Sequence, residues 1–355
     1  MNTWMFILGL VFVWVLMNII HRFTSRGPKG LTVNLRYGVF LVVKKLHESK
    51  PGRGLAKIYS YMLIALFAIA FTWSIYTMAL SIYSGLIGGV RGVVVLLPGY
   101  NIVGEDLLYF ILVVFISVSL HELLHAKIAL KSGIPVKSYG FVLALLLPAA
   151  FVEIDEEAFS KALRKAKIAI LAAGVVINLL LAMTTMLIIP LLTSSTGFTL
   201  IEVEEGGLAY ENGIRAYDVV YRINNAEANI SYLRELLSIK ETITIEFEIY
   251  RSGVGFISLN LVKPGDIDKL GVRIGPAPSK VILGVLPIPL FTSLLKTITW
   301  LFIVNFSLMF INTLPLFITD GGRIIREVLG SKLSNIVNYL FLSLLILMLI
   351  TNAKI

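Results

Sequence analysis

Long uncharged apolar runs alternate with short polar segments along most of the chain. The first run, residues 3–20, contains no Asp, Glu, Lys or Arg. A bilayer core about 30 Å thick needs about 20 apolar helical residues, so a run of this length predicts a membrane-spanning helix. The same pattern recurs and predicts six spanning helices in all, at about 3–20, 58–84, 107–130, 168–192, 297–316 and 335–351.

The charge of the segments between these runs predicts their orientation. Residues 22–57 contain nine Lys or Arg residues and one acid, Glu48. Because cytoplasmic loops carry an excess of Lys and Arg, we expect this segment in the cytoplasm and both chain termini outside. No basic segment precedes the first run and no small-residue cleavage site follows it, so we expect a retained helix rather than a signal peptide.

Two shorter apolar segments do not fit the spanning pattern. Residues 139–152 are too few to cross a bilayer and are interrupted by Pro148. A buried re-entrant loop or a short hairpin suits them, because irregular backbone at membrane depth must be shielded by protein. Residues 281–296 carry Pro287 and Pro289, and we expect an interfacial or re-entrant approach to the fifth helix.

Between residues 197 and 264 the pattern changes to alternating apolar and polar positions. Stretches such as TLIEV and TITIEFEIY, bounded by Gly and Asn turns, are typical of strands. Because this insert follows an outward span and precedes an inward one, we expect a small β-rich domain outside the cytoplasm. The predicted organisation has N-terminal spans with a basic loop at 1–86, a first part of a membrane core at 87–196, the insert at 197–264 and a second part of the core at 265–355.

Composition supports a membrane protein and limits its chemistry. The chain is 57% hydrophobic and 15% charged, with a mean hydropathy of +0.86, whereas soluble domains are about 25% charged. It contains no Cys, so a metal site must use His, Asp, Glu or water. The net charge of +9 comes from basic residues beside apolar runs, and no basic patch with interleaved aromatics indicates a nucleic-acid partner.

Residues 121–125 have the sequence HELLH within the third predicted span. His121 and His125 lie one helical turn apart on one face, so both can bind a single zinc ion. Glu122 can take a proton from a water molecule activated by that zinc. About fourteen mostly apolar residues, or roughly 21 Å of helix, precede the motif, so it lies within the bilayer. Ionisable residues at this depth indicate function; the alternative is a polar helix end at the headgroups.

A catalytic zinc site usually has three protein ligands and water, so a further ligand is needed. Asp320 is the candidate, because Pro315 breaks the preceding helix and the glycine pair after Asp320 permits close backbone approach. A turn aspartate at the cytoplasmic exit is the alternative interpretation. The remaining histidines and a cluster of acids are better explained as solvated residues: His21, His47, Glu153, Asp155, Glu156 and Glu157.

These motifs resemble the site-2 protease family of intramembrane zinc metalloproteases. HELLH is followed in a later span by NTLPLFITDGG (312–322), and AAGVVIN (172–178) is similar to the family's Gly-x-x-x-Asn element. LLPGYN (96–101) and PAAFVEID (148–155) resemble the membrane-bound transcription factor site-2 protease branch. The similarity covers about 95–325. Thr319 and Val175 depart from the common Leu and Pro, and neither change removes a ligand.

The resemblance implies residue roles that the spacing alone does not. It implies that zinc is bound by His121, His125 and Asp320 and that Glu122 is the general base. It also implies that Asn178 and Asn312 position the substrate or stabilise the oxyanion. Hydrogen bonding between helices is the alternative role for both asparagines.

The insert resembles a PDZ domain through EGGLAYENGIRAYDVVYRINN (205–225). Tyr217 stands where Gly is common, and Asn225 replaces the turn Gly; Asn tolerates positive φ, so we expect the turn to survive. A PDZ groove holds an extended peptide by strand addition. The alternative is a steric filter that admits only substrates already trimmed outside the membrane.

Together these observations predict a polytopic α-helical membrane protein with an inserted β-rich PDZ-like domain. The expected activity is zinc-dependent hydrolysis of peptide bonds within or near the transmembrane segments of single-span proteins, releasing anchored regulators. The alternatives are a metal-ion transporter, which would show polar residues along several spans and an inverted repeat, and a non-catalytic PDZ-bearing adaptor. We expect a prokaryotic cell membrane, with the active site toward the cytoplasm and the PDZ-like domain outside.

Overall fold

Five long helices and two antiparallel sheets make up the described part of the chain. The structure is a computed structural model that describes residues 11, 12, 15, 31–36, 39–45, 57–88, 95–144 and 147–352. These form two units, Met1–Met183 with Trp300–Ile355, and Thr184–Thr299. The predicted first span, 3–20, lies outside the described residues except at three positions.

The five helices are long and apolar enough to cross a membrane. The shortest has 26 residues and so extends about 39 Å, more than a bilayer core. Together with a short helix, α3 (Glu156–Lys161), they are α1 (Lys57–Leu86), α2 (Glu105–Lys131), α4 (Arg164–Leu192), α7 (Ile288–Thr313) and α8 (Asp320–Asn352). Non-helical backbone at Gly330 (φ 77°, ψ 172°) interrupts α8 ten residues after it begins.

Helix α7 begins earlier than the sequence pattern indicates. Its first residue is Ile288, so residues 288–296 are helical turns rather than a separate re-entrant segment. Pro287 precedes the helix and Pro289 lies in its first turn, where a missing N–H group removes no intrahelical hydrogen bond. The two prolines therefore mark a helix start.

A four-stranded antiparallel sheet belongs to the first unit, with strand order β1-β2-β3-β4. The segment 139–152 lies in β3 and β4, which pair as a hairpin, one of the two forms predicted for it. The first two strands come from the basic segment 22–57, which the charge pattern presented only as a loop. The strands are β1 (Leu31–Arg36), β2 (Val39–Lys45), β3 (Val136–Ala144) and β4 (Leu147–Ile154).

Helix α4 lies in the core of the first unit. Residues 169–176 are all buried and pack against Leu63 and Phe67 of α1, Ile128 of α2 and Met309 of α7. Ala and Gly make up half of this stretch, and small residues allow helix backbones to approach closely within a membrane. The centre of α4 is therefore in contact with three other spanning helices.

The second unit contains a sheet of order β10-β5-β6-β8-β9, with β7 paired to β6. Helix α6 covers one face, placing Leu233 and Leu236 against Ile245 and Phe247. Asn225 has φ 62°, as expected for its turn. The elements are β5 (Thr193–Val203), α5 (Leu208–Glu211), β6 (Val219–Ile223), β7 (Ala226–Glu227), α6 (Ile230–Ser238), β8 (Ile243–Arg251), β9 (Gly255–Lys263) and β10 (Val272–Pro278). The sheet thus extends beyond the 197–264 segment of the predicted insert.

Candidate active site

Three of the predicted site residues converge at one point of the first unit. His121 and His125 project from the same face of α2, with their Nε2 atoms 3.0 Å apart. The Oδ2 atom of Asp320, the first residue of α8, lies 3.2 Å from each of these nitrogens. His125 and Asp320 are 195 residues apart in the chain, so the fold creates the cluster.

These separations fit a metal ion. Two ligands about 2.1 Å from zinc at a tetrahedral angle lie about 3.4 Å apart, close to the three distances observed. Two imidazole nitrogens and a carboxylate oxygen are also a donor set that zinc accepts in catalytic sites. Among the described residues, no other group of His, Asp and Glu converges in this way.

The Nδ1 atoms of both histidines contact one face of α4. Nδ1 of His125 donates to the carbonyl oxygen of Ile170 at 2.7 Å, because that carbonyl can only accept. Nδ1 of His121 lies 2.9 Å from the amide nitrogen of Asn178. Ile170 and Asn178 are eight residues apart, two helical turns, and so share a face. With Nδ1 protonated, His125 presents the lone pair of Nε2 toward Asp320.

Gly174, midway between these two residues, leaves the space in which the imidazoles lie. A Cβ atom at this position would be 2.3 Å from Nε2 of His125 and 2.5 Å from Nε2 of His121. Both distances are far below van der Waals contact. In the Gly-x-x-x-Asn element, Gly174 therefore leaves room for the imidazole rings and Asn178 contacts one of them. The sequence indicates a role for Asn178 but not this role of Gly174.

Thr319 and two glycines hold Asp320 in place. The hydroxyl of Thr319 accepts a hydrogen bond from the N–H of Gly322 and donates to the carbonyl of Leu314, so it caps the N-terminus of α8. A Cβ at Gly321 would lie 2.1 Å from the carbonyl oxygen of Thr313, and a Cβ at Gly322 would lie 1.7 Å from the carbonyl oxygen of Leu316. The predicted close backbone approach is confirmed, and the departure from Leu at position 319 supplies a cap.

Glu122 is half-buried on α2, beside the histidines in the chain. Its carboxylate faces the backbone N–H of Val152 in β4. Strand β4 packs along α2 and pairs only with β3 among the described strands. An open strand edge therefore lies next to the side chain that the sequence predicts as the general base.

The remaining sequence candidates lie elsewhere. Asp155 caps α3 by accepting from the N–H of Ala158 at 2.8 Å; this bond and Lys137 lower the pKa of Asp155 below its usual value. Of the other acids in the cluster, Glu153 pairs with Ser138, Glu156 with Arg323 and Glu157 with Lys161. These pairings support the interpretation of the acids as solvated, structural residues. His21 and His47 are outside the described residues. Asn312 is half-buried near the end of α7, and no hydrogen bond joins it to the described metal-ligand candidates.

The second unit has a groove between α6 and β10. Strand β10 is an edge strand that pairs only with β5 among the described strands. A cavity of about 540 Å³ lies beside it, with Ile230, Leu233 and Leu237 of α6 and Val272 and Ile274 of β10 in its lining. An edge strand next to an apolar helix face is the arrangement that accepts a peptide by strand addition.

Comparison with known proteins agrees with this site. The chain matches the model of peptidase family M50 over residues 109–351, a range that includes both ends of the His–Asp cluster. It is also 31% identical over 223 residues to an uncharacterised protein of Methanocaldococcus jannaschii, an alignment that covers 60% of this chain and 55% of that relative. The chain thus spans little more than half the length of the curated relative it matches. The chain belongs to peptidase family M50, the site-2 protease family.

Proposed function

We propose that this protein is an intramembrane zinc metalloprotease that cleaves peptide bonds within or near the membrane-spanning segments of single-span proteins. The observation that carries the proposal is the His121–His125–Asp320 triangle, with side separations of 3.0–3.2 Å, on helices apolar and long enough to cross a membrane. Glu122 lies beside the proposed ligands in the chain, where a protease needs a general base. A metal-ion transporter needs no such base, so this alternative gives Glu122 no role.

Each side chain has a chemical role in this proposal. His121, His125 and Asp320 would hold zinc, which when bound polarises the substrate carbonyl and lowers the pKa of water. Glu122 takes a proton from the attacking water and delivers it to the amide nitrogen. A C–O bond forms, the C–N bond breaks, and the products are a carboxylic acid and an amine. The N-terminus of α8 favours the negative charge of Asp320.

The open edge of β4 suits a substrate in extended form. A transmembrane helix must unwind before a protease can reach its peptide bonds, and a strand edge can hold the unwound segment by backbone hydrogen bonds. Residues two apart in a strand direct their N–H groups to the same side, so Ala150 shares the outward side with Val152. We expect Ala150→Pro to reduce cleavage and leave zinc binding intact, whereas Ala150→Ser, which keeps the N–H, should cleave normally. Unchanged cleavage by Ala150→Pro contradicts this part of the proposal.

The second unit would select substrates. The groove along β10 supports the PDZ-like interpretation and a peptide-binding role, while a steric filter remains the alternative proposal. We further propose a prokaryotic cell membrane as the location, with the metal site toward the cytoplasm, the PDZ-like unit outside and anchored regulators as substrates. The basic flanks of the predicted spans support this orientation.

The central test replaces Glu122 by Gln in the full chain, reconstituted in lipid vesicles with a single-span fusion substrate. The expected result is unchanged zinc content by elemental analysis and a cleavage rate lower by about 10²–10⁴-fold, the usual contribution of a general base. Glu157→Gln, at a surface acid paired with Lys161, is the matched control and should cleave normally. Normal cleavage by Glu122→Gln contradicts the proposal, and zinc uptake by wild-type vesicles without any cleavage favours a transporter.

A further inference from the structure

Asn178 is the one polar residue of α4 that is fully buried against the metal-site histidines. Its side chain is 0% exposed, and its amide nitrogen lies 2.9 Å from Nδ1 of His121. Its other polar atom, Oδ1, is buried and has no hydrogen-bond partner among the described residues. A buried acceptor without a donor is costly and needs a physical explanation.

The protonation of His121 determines which end of this amide should face the imidazole ring. A neutral imidazole carries one N–H, so a lone pair on Nε2 for zinc requires the proton on Nδ1. An N–H at Nδ1 needs an acceptor, and the amide oxygen of Asn178 reaches that place when the amide turns by 180° about its terminal bond. The two ends of the amide have the same shape, so the turn moves no other group. Oδ1 then accepts from Nδ1–H of His121, and the NH2 group takes the position in which Oδ1 now lies.

His125 shows the same arrangement already completed. Its Nδ1 donates to the carbonyl oxygen of Ile170, two turns before Asn178 on the same face of α4. The helix thus offers one acceptor from the backbone and a second from a side chain, on either side of Gly174. Both histidines would present Nε2 lone pairs to one point.

We propose that Asn178 is a positioning residue for zinc: its amide oxygen accepts from Nδ1–H of His121 and fixes the ring tautomer and orientation that the metal requires. This inference rests on the proposed function in one respect, that zinc is the metal. It differs from the expectation that Asn178 binds the substrate or the oxyanion, because the side chain contacts His121 and is closed to solvent.

The test measures zinc affinity directly, by competition with a chromogenic chelator, on the purified full chain in detergent. Asn178→Leu keeps the size of the side chain and loses the acceptor, and we expect zinc to bind about 10–100-fold more weakly, as is usual when a ligand's hydrogen-bond partner is removed. Asn178→Asp keeps an acceptor for Nδ1–H, so its zinc affinity should stay within a few-fold of wild type. The visible spectrum of the cobalt-substituted protein should be the same in Asn178→Asp and wild type.

Asn305 provides a matched control. It is also 0% exposed, also has a buried Oδ1 without a partner among the described residues, and its amide donates to Ser117, one turn before His121 on α2. It contacts neither histidine, so Asn305→Leu should leave zinc affinity unchanged. An equal loss in Asn305→Leu and Asn178→Leu would show a packing effect and overturn the inference.

The outcomes separate this inference from the proposed function. If Asn178 serves the oxyanion instead, Asn178→Leu and Asn178→Asp bind zinc like wild type and both lose cleavage; this result overturns the inference and leaves the protease intact. Weak binding by both Asn178→Leu and Asn178→Asp also overturns it. If wild type itself fails to bind zinc, the proposed function falls and the inference with it.

Discussion

Both units bury charged side chains, but they use them differently. In the second unit, Asp218 is 1% exposed and receives two hydrogen bonds from Arg251, at 2.8 and 2.6 Å, which also raise the pKa of the guanidinium. Lys263 is 0% exposed and donates to two backbone carbonyls. Each of these charges is satisfied by its own neighbours, and none is directed at a common point.

In the first unit the lone pairs of three ionisable groups meet at one place. Both histidines have supporting contacts at Nδ1, and their Nε2 atoms and Oδ2 of Asp320 lie 3.0–3.2 Å apart. A buried charge alone therefore does not indicate a site in this protein. Convergence of otherwise unused donor atoms does, and the following predictions test that distinction.

The largest expected effect is that of Gly174→Ala. The added methyl group would lie 2.3 and 2.5 Å from the two Nε2 atoms, so the rings must move out of their ligand positions. We expect zinc affinity to fall by at least about 100-fold, the upper end of the effect of disturbing a ligand's surroundings. Chelator competition measures this, with Asp320→Ala as the reference for loss of a ligand.

Helix stability provides the control for Gly174→Ala. Alanine favours the helix over glycine by up to about 1 kcal/mol, so a weakened site cannot be explained by an unstable α4. Circular dichroism should show unchanged or greater helicity. Wild-type zinc affinity in this variant would mean that the histidines bind no metal at the observed positions.

The second prediction concerns Asp218→Ala in the other unit. Removing one partner of a buried ion pair leaves Arg251 without its counter-charge, and we expect a loss of about 3 kcal/mol in the stability of this unit. Hydrogen exchange of the β6 and β8 amides in the full chain should accelerate by about 100-fold, the equivalent of that energy. Zinc affinity should not change. A large loss of zinc affinity would contradict the division between structural and convergent charges.

The third prediction concerns the cap of α8. Thr319→Val keeps the shape of the side chain but removes the hydroxyl that binds the N–H of Gly322, a loss of about 1 kcal/mol for a typical cap. If the whole loss acts on the position of Asp320, zinc affinity falls about fivefold. Thr319→Ser keeps the hydroxyl and should bind zinc like wild type. Equal affinities in the Val and Ser variants would show that the cap does not position Asp320.

The sequence alone predicts His121, His125 and Asp320 as metal-ligand candidates because their signals are local. The i, i+4 spacing of HELLH needs only a helix, and a proline followed by Asp-Gly-Gly is visible without a fold. Asn178 apart, the supporting contacts give no such signal. The carbonyl of Ile170 and the N–H of Val152 are backbone groups that any residue carries, and only the tertiary structure places them beside His125 and Glu122.

The helices and strands also differ in how local their sequence signals are. Spanning helices follow from long apolar runs, and each of the five described ones overlaps a predicted run, although α7 and α8 begin earlier than predicted. Strands β1 and β2 lie in a segment whose nine basic residues indicated topology, and strand pairing to β3 depends on a partner about 100 residues away in the chain. The sequence pattern predicts a later start of α7 than the structure has, because Pro287 and Pro289 resemble helix breaks, although proline is compatible with a first helical turn.

The smallest expected effect is a pH dependence at Asp155, a solvated acid of the first unit that lies outside the spans. Its carboxylate accepts from the N–H of Ala158 and pairs with Lys137 at 3.1 Å, and its pKa is lowered from 3.8 as a result. Because the folded pKa is lower than the unfolded one, the ionised cap stabilises α3 fully above about pH 4. This stabilisation is lost as the pH falls through the folded pKa.

Asp155→Ser separates this effect from general acid unfolding. Serine also caps a helix but does not titrate in this range, so its contribution to α3 is constant with pH. We expect the ratio of Ala158 amide exchange rates, wild type over Asp155→Ser, to rise as the pH is lowered below 4 and to be flat above it. Taking the ratio cancels the intrinsic pH dependence of exchange. A flat ratio across the whole range would mean that the carboxylate of Asp155 does not cap α3. A change of zinc affinity in Asp155→Ser would mean that this acid acts on the His–Asp cluster, unlike the charges that are satisfied by their own neighbours.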